Sequence, residues 1–312
     1  MSSDFEPTPD ASEAGAGGLL LSDEGELVVS STGAPLRVAP LRSGERAEVL
    51  AFLASSPLHN VALSGLVLDN GLESFLNRGR FYSCRAEGGA LEGVALIGHT
   101  VLLDARTDGA AEAFALVARG RERKHLVMGE VAEVERFWNF YAAGTGLRPR
   151  FTRRVMLLER RGVTAGEGEP VKGLRPATLS DLAFVMTIQA EMATEESGTN
   201  PLESDRLGFH VRCARRVERG RAWVCVNEGR PAFKADVLAQ TPEAAYLEGI
   251  YVSPDMRGRG LGSRCLAQMC RALQRAGTKS VCLFVDERNQ RAFRFYEAAG
   301  FTPVSPYLIL YF

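Results

Sequence analysis

From position 35 onward, stretches with apolar residues three and four apart alternate with short apolar runs, and the whole order passes through twice. Leu36 to Leu41 predicts a strand, and Glu45 to Ala54 and Val61 to Leu68 predict helices. Phe81 to Thr107 reads as a meander of three strands. A helix at Ala110 to Ala118, a strand at His125 to Gly129, a helix at Val131 to Ala143 and a strand pair within Phe151 to Leu158 close the first pass. The second opens with a strand at Lys172 to Arg175 and a helix at Leu179 to Ala193, with Thr178 and Ser180 as N-cap candidates. A polar loop is expected at Thr194 to Asn200 and a helix from Glu203 to Val217, before strands at Arg221 to Asn227, Ala232 to Ala239 and Ala244 to Val252. A helix at Ser263 to Gln274, a strand at Ser280 to Val285, a helix at Gln290 to Ala298 and final strands complete the chain.

The repeated order predicts a tandem duplication. Setting Glu135 to Gly144 against Arg291 to Gly300 aligns Phe137, Ala142, Ala143 and Gly144 with Phe293, Ala298, Ala299 and Gly300. The boundaries that follow are a poorly ordered tail over 1–34, a first domain over 35–160, a linker over 161–173 and a second domain over 174–312. The length of 312 residues, 46% of them apolar, allows each domain its own core. With 37 basic and 38 acidic residues the charge nearly cancels, which points to no nucleic acid and no membrane as partner, and no run is long enough to span a bilayer. Six cysteines show no C-x-x-C pair and no metal-ligand spacing with the four histidines, so reduced core thiols in a cytoplasmic protein without a metal are expected.

The chemistry concentrates at Arg257-Gly258-Arg259-Gly260-Leu261-Gly262, between a predicted strand and a predicted helix. Such a turn aims unpaired backbone N–H groups and the positive end of the helix dipole at one point, which holds phosphate, while Arg257 and Arg259 add charge. The plain alternative is a tight turn whose glycines only satisfy positive φ. A dinucleotide-binding βαβ unit is a second alternative: Asp286 ends the next strand, but its third glycine would fall at Ser263 and too little chain follows.

Val252-x-Pro254 followed by Arg257-x-x-Gly260-x-Gly262, and then Asn289-x-x-Ala292-x-x-x-Tyr296-x-x-x-Gly300-Phe301, resembles the two signatures of the GNAT superfamily of N-acyltransferases, over roughly residues 171 to 312. The resemblance implies an α+β fold in α/β/α layers: two tandem GNAT-like domains, each a mixed, mostly antiparallel sheet flanked by helices. It implies transfer from an acyl-CoA, acetyl-CoA first among them, directly to a primary amine in a ternary complex, and it leaves a homodimer open. Residues Arg257, Gly258, Arg259, Gly260, Leu261, Gly262 and Ser263 would take the pyrophosphate, the strand ending at Val252 would pair with the pantetheine arm, and Asn289 would contact the cofactor. Tyr296 would protonate the leaving thiolate; its ordinary alternative is a core aromatic beside Phe293 and Phe295.

Period-two alternation places Glu248 on one face with Tyr246, Ile250 and Val252, as candidate base or as salt-bridge partner. Glu195 and Glu196 are candidates to attract the amine, or solvated charges at a helix end. The first domain has Phe140 at the place of Tyr296, and Asp108-Gly109-Ala110-Ala111 in place of the glycine loop, so it reads as a degenerate copy. The other functional class is a binding module that senses acyl-CoA without turnover.

Overall fold

In the computed structural model, residues 18–21, 27–30, 35–120, 125–162, 169–227 and 229–312 are described. The strands are β1 (Gly18–Leu21), β2 (Leu27–Ser30), β3 (Leu36–Pro40), β4 (Gly79–Arg85), β5 (Leu91–Gly98), β6 (Thr100–Ala105), β7 (Leu126–Glu130), β8 (Phe151–Arg161), β9 (Leu174–Pro176), β10 (Ala222–Asn227), β11 (Arg230–Gln240), β12 (Ala244–Val252), β13 (Ser280–Asp286) and β14 (Thr302–Tyr311). The helices are α1 (Arg46–Leu53), α2 (Val61–Asn70), α3 (Asp108–Arg119), α4 (Val131–Ala142), α5 (Leu182–Ser197), α6 (Pro201–Ser204), α7 (Arg206–Glu218), α8 (Leu261–Arg275) and α9 (Gln290–Ala298).

The strands join in one sheet, ordered β1-β2-β3-β4-β5-β6-β7-β14-β8-β13-β12-β11-β10-β9. Apart from β1 and β2 at one edge, the order reads the same from either end: β3 to β7 form a first unit, β13 back to β9 a second, and both are antiparallel except for one parallel pair each, β6 with β7 and β12 with β13. At the centre the terminal strands change places. β8, which follows the first unit, pairs with β13, and β14, which follows the second, pairs with β7. The two also pair with each other from Thr302 opposite Glu159 to Tyr311 opposite Phe151. The final strands expected of each half are thus one long strand each. The mixed, mostly antiparallel, helix-flanked architecture is as the resemblance implies, but the two sheets run on as one.

Two expectations change. The stretch 1–34, expected to be a disordered or poorly ordered tail, contributes β1 and β2, which pair with each other, and β2 pairs with β3; Val28 and Val29 of β2 are β-branched, as strands favour. Residues 1–17, and 163–168 of the expected linker, lie outside the described residues. The polar loop expected from Thr194 is instead the end of α5, which runs to Ser197 and stops at Gly198 in the left-handed conformation (φ 70°).

Helices cover both faces. In the first unit α3 and α4 bury Phe114 and Phe137 against one face, and α1 and α2 bury Phe52, Leu53 and Val67 against the other. In the second, α8 presents Cys265, Leu266, Met269 and Leu273 to β11, β12 and β13, with Phe293, Phe295 and Tyr296 of α9 packed beside them. α2 also crosses onto the second unit. At Gly65 a Cβ would lie 2.6 Å from Ala239 Cβ, so only glycine lets the helix come this close to β11. Asp69, near the end of α2, binds Arg221 in a two-pronged pair (Nη2 to Oδ1, 3.0 Å) and Arg219 (3.2 Å). All six cysteines are free and buried.

Candidate active site

β12 and β13 are paired only from Ala244 opposite Ser280 to Leu247 opposite Leu283. Beyond that the strands part, and the gap opens into a groove of about 710 Å³ lined by Ile250 to Val252, the glycine loop, the first turn of α8 and one side of α9.

The floor depends on a bulge. Asp236 of β11 faces Glu248, but Lys234 faces Tyr251, so β12 carries one extra residue at this point. Gly249 takes it up with φ of 62°. The extra residue reverses the alternation. Tyr246 packs with Phe284 and Tyr307, whereas Ile250 and Val252 pack with the α8 and α9 side chains. The expected single face carrying Tyr246, Glu248, Ile250 and Val252 is therefore split: Glu248 stays with Tyr246, and the two later residues line the groove.

The loop is built from geometry that only glycine adopts freely. Gly258 and Gly260 have φ of 74° and 72°. Gly262 has no room for a side chain, since a Cβ would lie 2.7 Å from Val252 Cγ2 and 3.1 Å from Phe295 Cε2. Gly260 is the N-cap of α8 and offers no side-chain cap, and the first helical bond back to it comes from Arg264. The N–H groups of Leu261, Gly262 and Ser263 thus precede the first helical bond, at the positive end of the helix. α3, at the matching place in the first unit, is closed: the Thr107 hydroxyl accepts from Ala110 N at 3.2 Å.

Arg257 folds back so that Nε donates to Val252 O at 2.9 Å, which ties the loop to the strand end. Arg259 does not line the groove; its carbonyl accepts from Arg264. The basic residues at the groove that motif reading missed are Arg291 and Arg294. Their spacing, three apart on the outer face of a predicted helix, was the available signal. Asn289 lies at the groove wall as the N-cap of α9, its Oδ1 accepting from Ala292 N at 3.0 Å.

Tyr296 lines the groove from α9, its ring edge-on to Phe295 and Phe301. Burial, and the negative charge of Glu196, push its hydroxyl well above the ordinary tyrosine range. Of the acidic residues, Glu191 and Glu195 line the groove. Glu196 stands between Tyr296 and Glu248 electrostatically: surrounding protein and the Glu248 charge raise its carboxyl to about 7, opposed by Arg153 and Lys234. Its side chain keeps contact with solvent. Glu248 accepts from Gln189 Nε2 at 3.2 Å. Behind it Lys234 and Asp236 are wholly buried and paired at 2.7 Å, and Arg216 pairs with the same carboxylate. None of Gln189, Lys234 or Arg216 belongs to a recognisable motif, because their partners lie on other elements.

Over residues 185–301 the chain matches the profile of the Acetyltransferase (GNAT) family. The second unit carries a GNAT acetyltransferase domain. A mycothiol acetyltransferase of Beutenbergia cavernae is 37% identical to the chain over 86 residues, 27% of this chain and 29% of that protein. A thialysine N-epsilon-acetyltransferase of Bos taurus is 38% identical over 55 residues, 18% of this chain and 32% of that protein. The matched part spans under a third of either relative. In fold, the GNAT domain and its companion unit together resemble an acetyltransferase of the GNAT family from Colwellia psychrerythraea (TM-score 0.56, 14% identity, 88% of this chain and 99% of that one). They likewise resemble a tandem GNAT protein from the clavulanic acid biosynthesis pathway (TM-score 0.56, 16% identity, 88% and 97%). At such identities the likeness is one of fold, and it spans both units.

Proposed function

We propose that the second unit transfers an acetyl group from acetyl-CoA to a primary amine, and that the first unit holds no acyl donor. The observation that carries this reading is the uncapped start of α8 at the end of a groove that leads past Ile250 and Val252 to Tyr296. Three backbone N–H groups and the side chains of Arg257, Arg291 and Arg294 suit the donor's phosphates, and the unpaired edge of β12 suits its amide-bearing arm. Charge is sorted along the groove, with arginines at the loop and Glu191 and Glu195 on the opposing helix, where a cationic acceptor would enter.

In this reading the ammonium gives its proton to the Glu196 and Glu248 carboxylate pair. The free amine attacks the thioester carbonyl, the C–N bond forms, and the C–S bond breaks. The thiolate leaves with the Tyr296 proton, which a hydroxyl held neutral is suited to supply, and the second proton shed by the acylated nitrogen restores that hydroxyl. The closed, threonine-capped start of α3 gives the first unit no comparable place for phosphate. Release of free CoA from acetyl-CoA, followed over a panel of amines with the full chain, tests the proposal. Tight binding of acetyl-CoA without release on any amine would replace it with the sensor reading.

A further inference from the structure

We propose that Lys234 is a positioning residue for Glu248: buried beneath the β12 bulge, its ammonium fixes the orientation of the Gln189 carboxamide, which in turn holds the Glu248 carboxylate. The inference rests on the reading of this groove as a transfer site and extends it to residues outside the groove.

The argument is one of donors and acceptors. A glutamine side chain has one accepting and one donating end, and either could face a neighbour. An ammonium only donates and a carboxylate only accepts. Lys234 Nζ donates to Gln189 Oε1, so Nε2 must point the other way, where it meets Glu248 Oε1 at 3.2 Å. Lys234 is itself held by Asp236 at 2.7 Å, and Asp236 by Arg216. The orientation is thus set from the interior outward.

The same pair shapes the backbone. A Cβ on Gly249 would lie 2.5 Å from Gln189 Oε1 and 2.6 Å from Lys234 Nζ. The bulge therefore rests directly on the lysine and the glutamine, and it is this bulge that sends Glu248 to one face and Ile250 to the other. Stability alone is a poor reason for two charges with no solvent exposure, since apolar side chains of similar volume commonly do as well. The charged and titratable groups around Glu248 are Lys234 and Asp236 of β11, Glu196 of α5, Arg216 of α7, Tyr246 of its own strand, Arg153 of β8 and Tyr311 of β14.

The test uses the full chain with Lys234→Met and, because that variant also strips a partner from buried Asp236, with Gln189→Met as a second. Three quantities are read: kcat for the amine, acetyl-CoA affinity by calorimetry, and the carbon-13 chemical shift of the Glu248 carboxyl at one fixed pH. The expected result is a fall in kcat of about tenfold or more from lost orientation, with acetyl-CoA affinity within about twofold because the loop is untouched. In both variants the Glu248 carboxyl shift departs from its native value, because the Gln189 amide no longer donates to it in a fixed direction. An unchanged Glu248 shift and unchanged kcat in both variants, or losses that follow the melting temperature alone, overturn the inference. If the native chain transfers acetyl to no amine, the functional reading fails, and the Glu248 carboxyl shift still decides the role of Lys234.

Discussion

Gly262→Ala tests the cofactor loop with the smallest possible change. Gly262 lies on the inner side of the first turn of α8, with no unusual backbone angle, so the only new element is one methyl group. That methyl would sit 2.7 Å from Val252 Cγ2, about 1 Å inside an ordinary carbon contact. Phe295 stands 3.1 Å away on the other side, so the group cannot slip past Val252 towards α9. The first turn must lift from β12 by about an ångström, or Val252 must leave its rotamer. Overpacking of this kind costs roughly 1–3 kcal/mol, against about 1 kcal/mol gained by alanine over glycine in a helix, so net stability falls by about 0–2 kcal/mol. Binding should suffer more, because the three N–H groups move as a body relative to the strand. A displacement of 1 Å at a preorganised site costs on the order of a hundredfold. Gly258→Ala is the control: no atom lies within 4 Å of its Cβ, and only the strain of φ 74° remains, about 1–2 kcal/mol. Calorimetry with acetyl-CoA and urea unfolding separate the two quantities. Native affinity in Gly262→Ala would show that the turn does not bind the donor.

Tyr296→Phe should lower kcat by about a hundredfold, as loss of a general acid does, and leave calorimetric affinity for acetyl-CoA unaltered; an unaltered kcat would remove the hydroxyl from the reaction. Because Glu196 titrates near 7, turnover should rise with pH through that value, and Glu196→Gln should flatten the rise; with Glu195→Gln added, acceptor KM should increase while donor KM stays, as steady-state kinetics would show. Burial raises Glu133 to about 7, so the fold favours its neutral form, and the stability this lends below pH 4.5 is lost as pH rises through 7. Glu133→Gln keeps an acceptor for Ala105 N, and in urea unfolding it should gain about 3 kcal/mol at pH 8 and nothing near pH 4.5. Equal gains at both pH values would show that the effect is not one of ionisation.

What the sequence reveals of this site is what lies close together along the chain. The glycine loop, the start of α8 and the span from Asn289 to Gly300 are each local, so their spacing alone marks them, and α9 has the limits its apolar pattern predicts. The face of Glu248 was not legible in this way. One extra residue reverses a strand's alternation, and Gly249 in the sequence looks like any other glycine. Lys234 and Asp236 read as breaks in an apolar strand, and their meaning depends on Gln189 and Arg216, which come from two other helices. The places of β8 and β14 are the most distant relation of all, since either strand would satisfy the same apolar pattern at either position.

That exchange bears on how the chain is made. The edge of β7 is complete only when residues 302–311 arrive, long after the first unit's own helices and strands have been synthesised. At elongation rates of about 5–20 residues per second, the emerging chain carries an open, unpaired strand edge for roughly ten to thirty seconds. Such an edge is the kind of surface on which nascent chains associate with one another. Neither unit can be removed or exchanged separately without taking a strand from the other, so the exchange ties the folding of the first unit to the presence of the second.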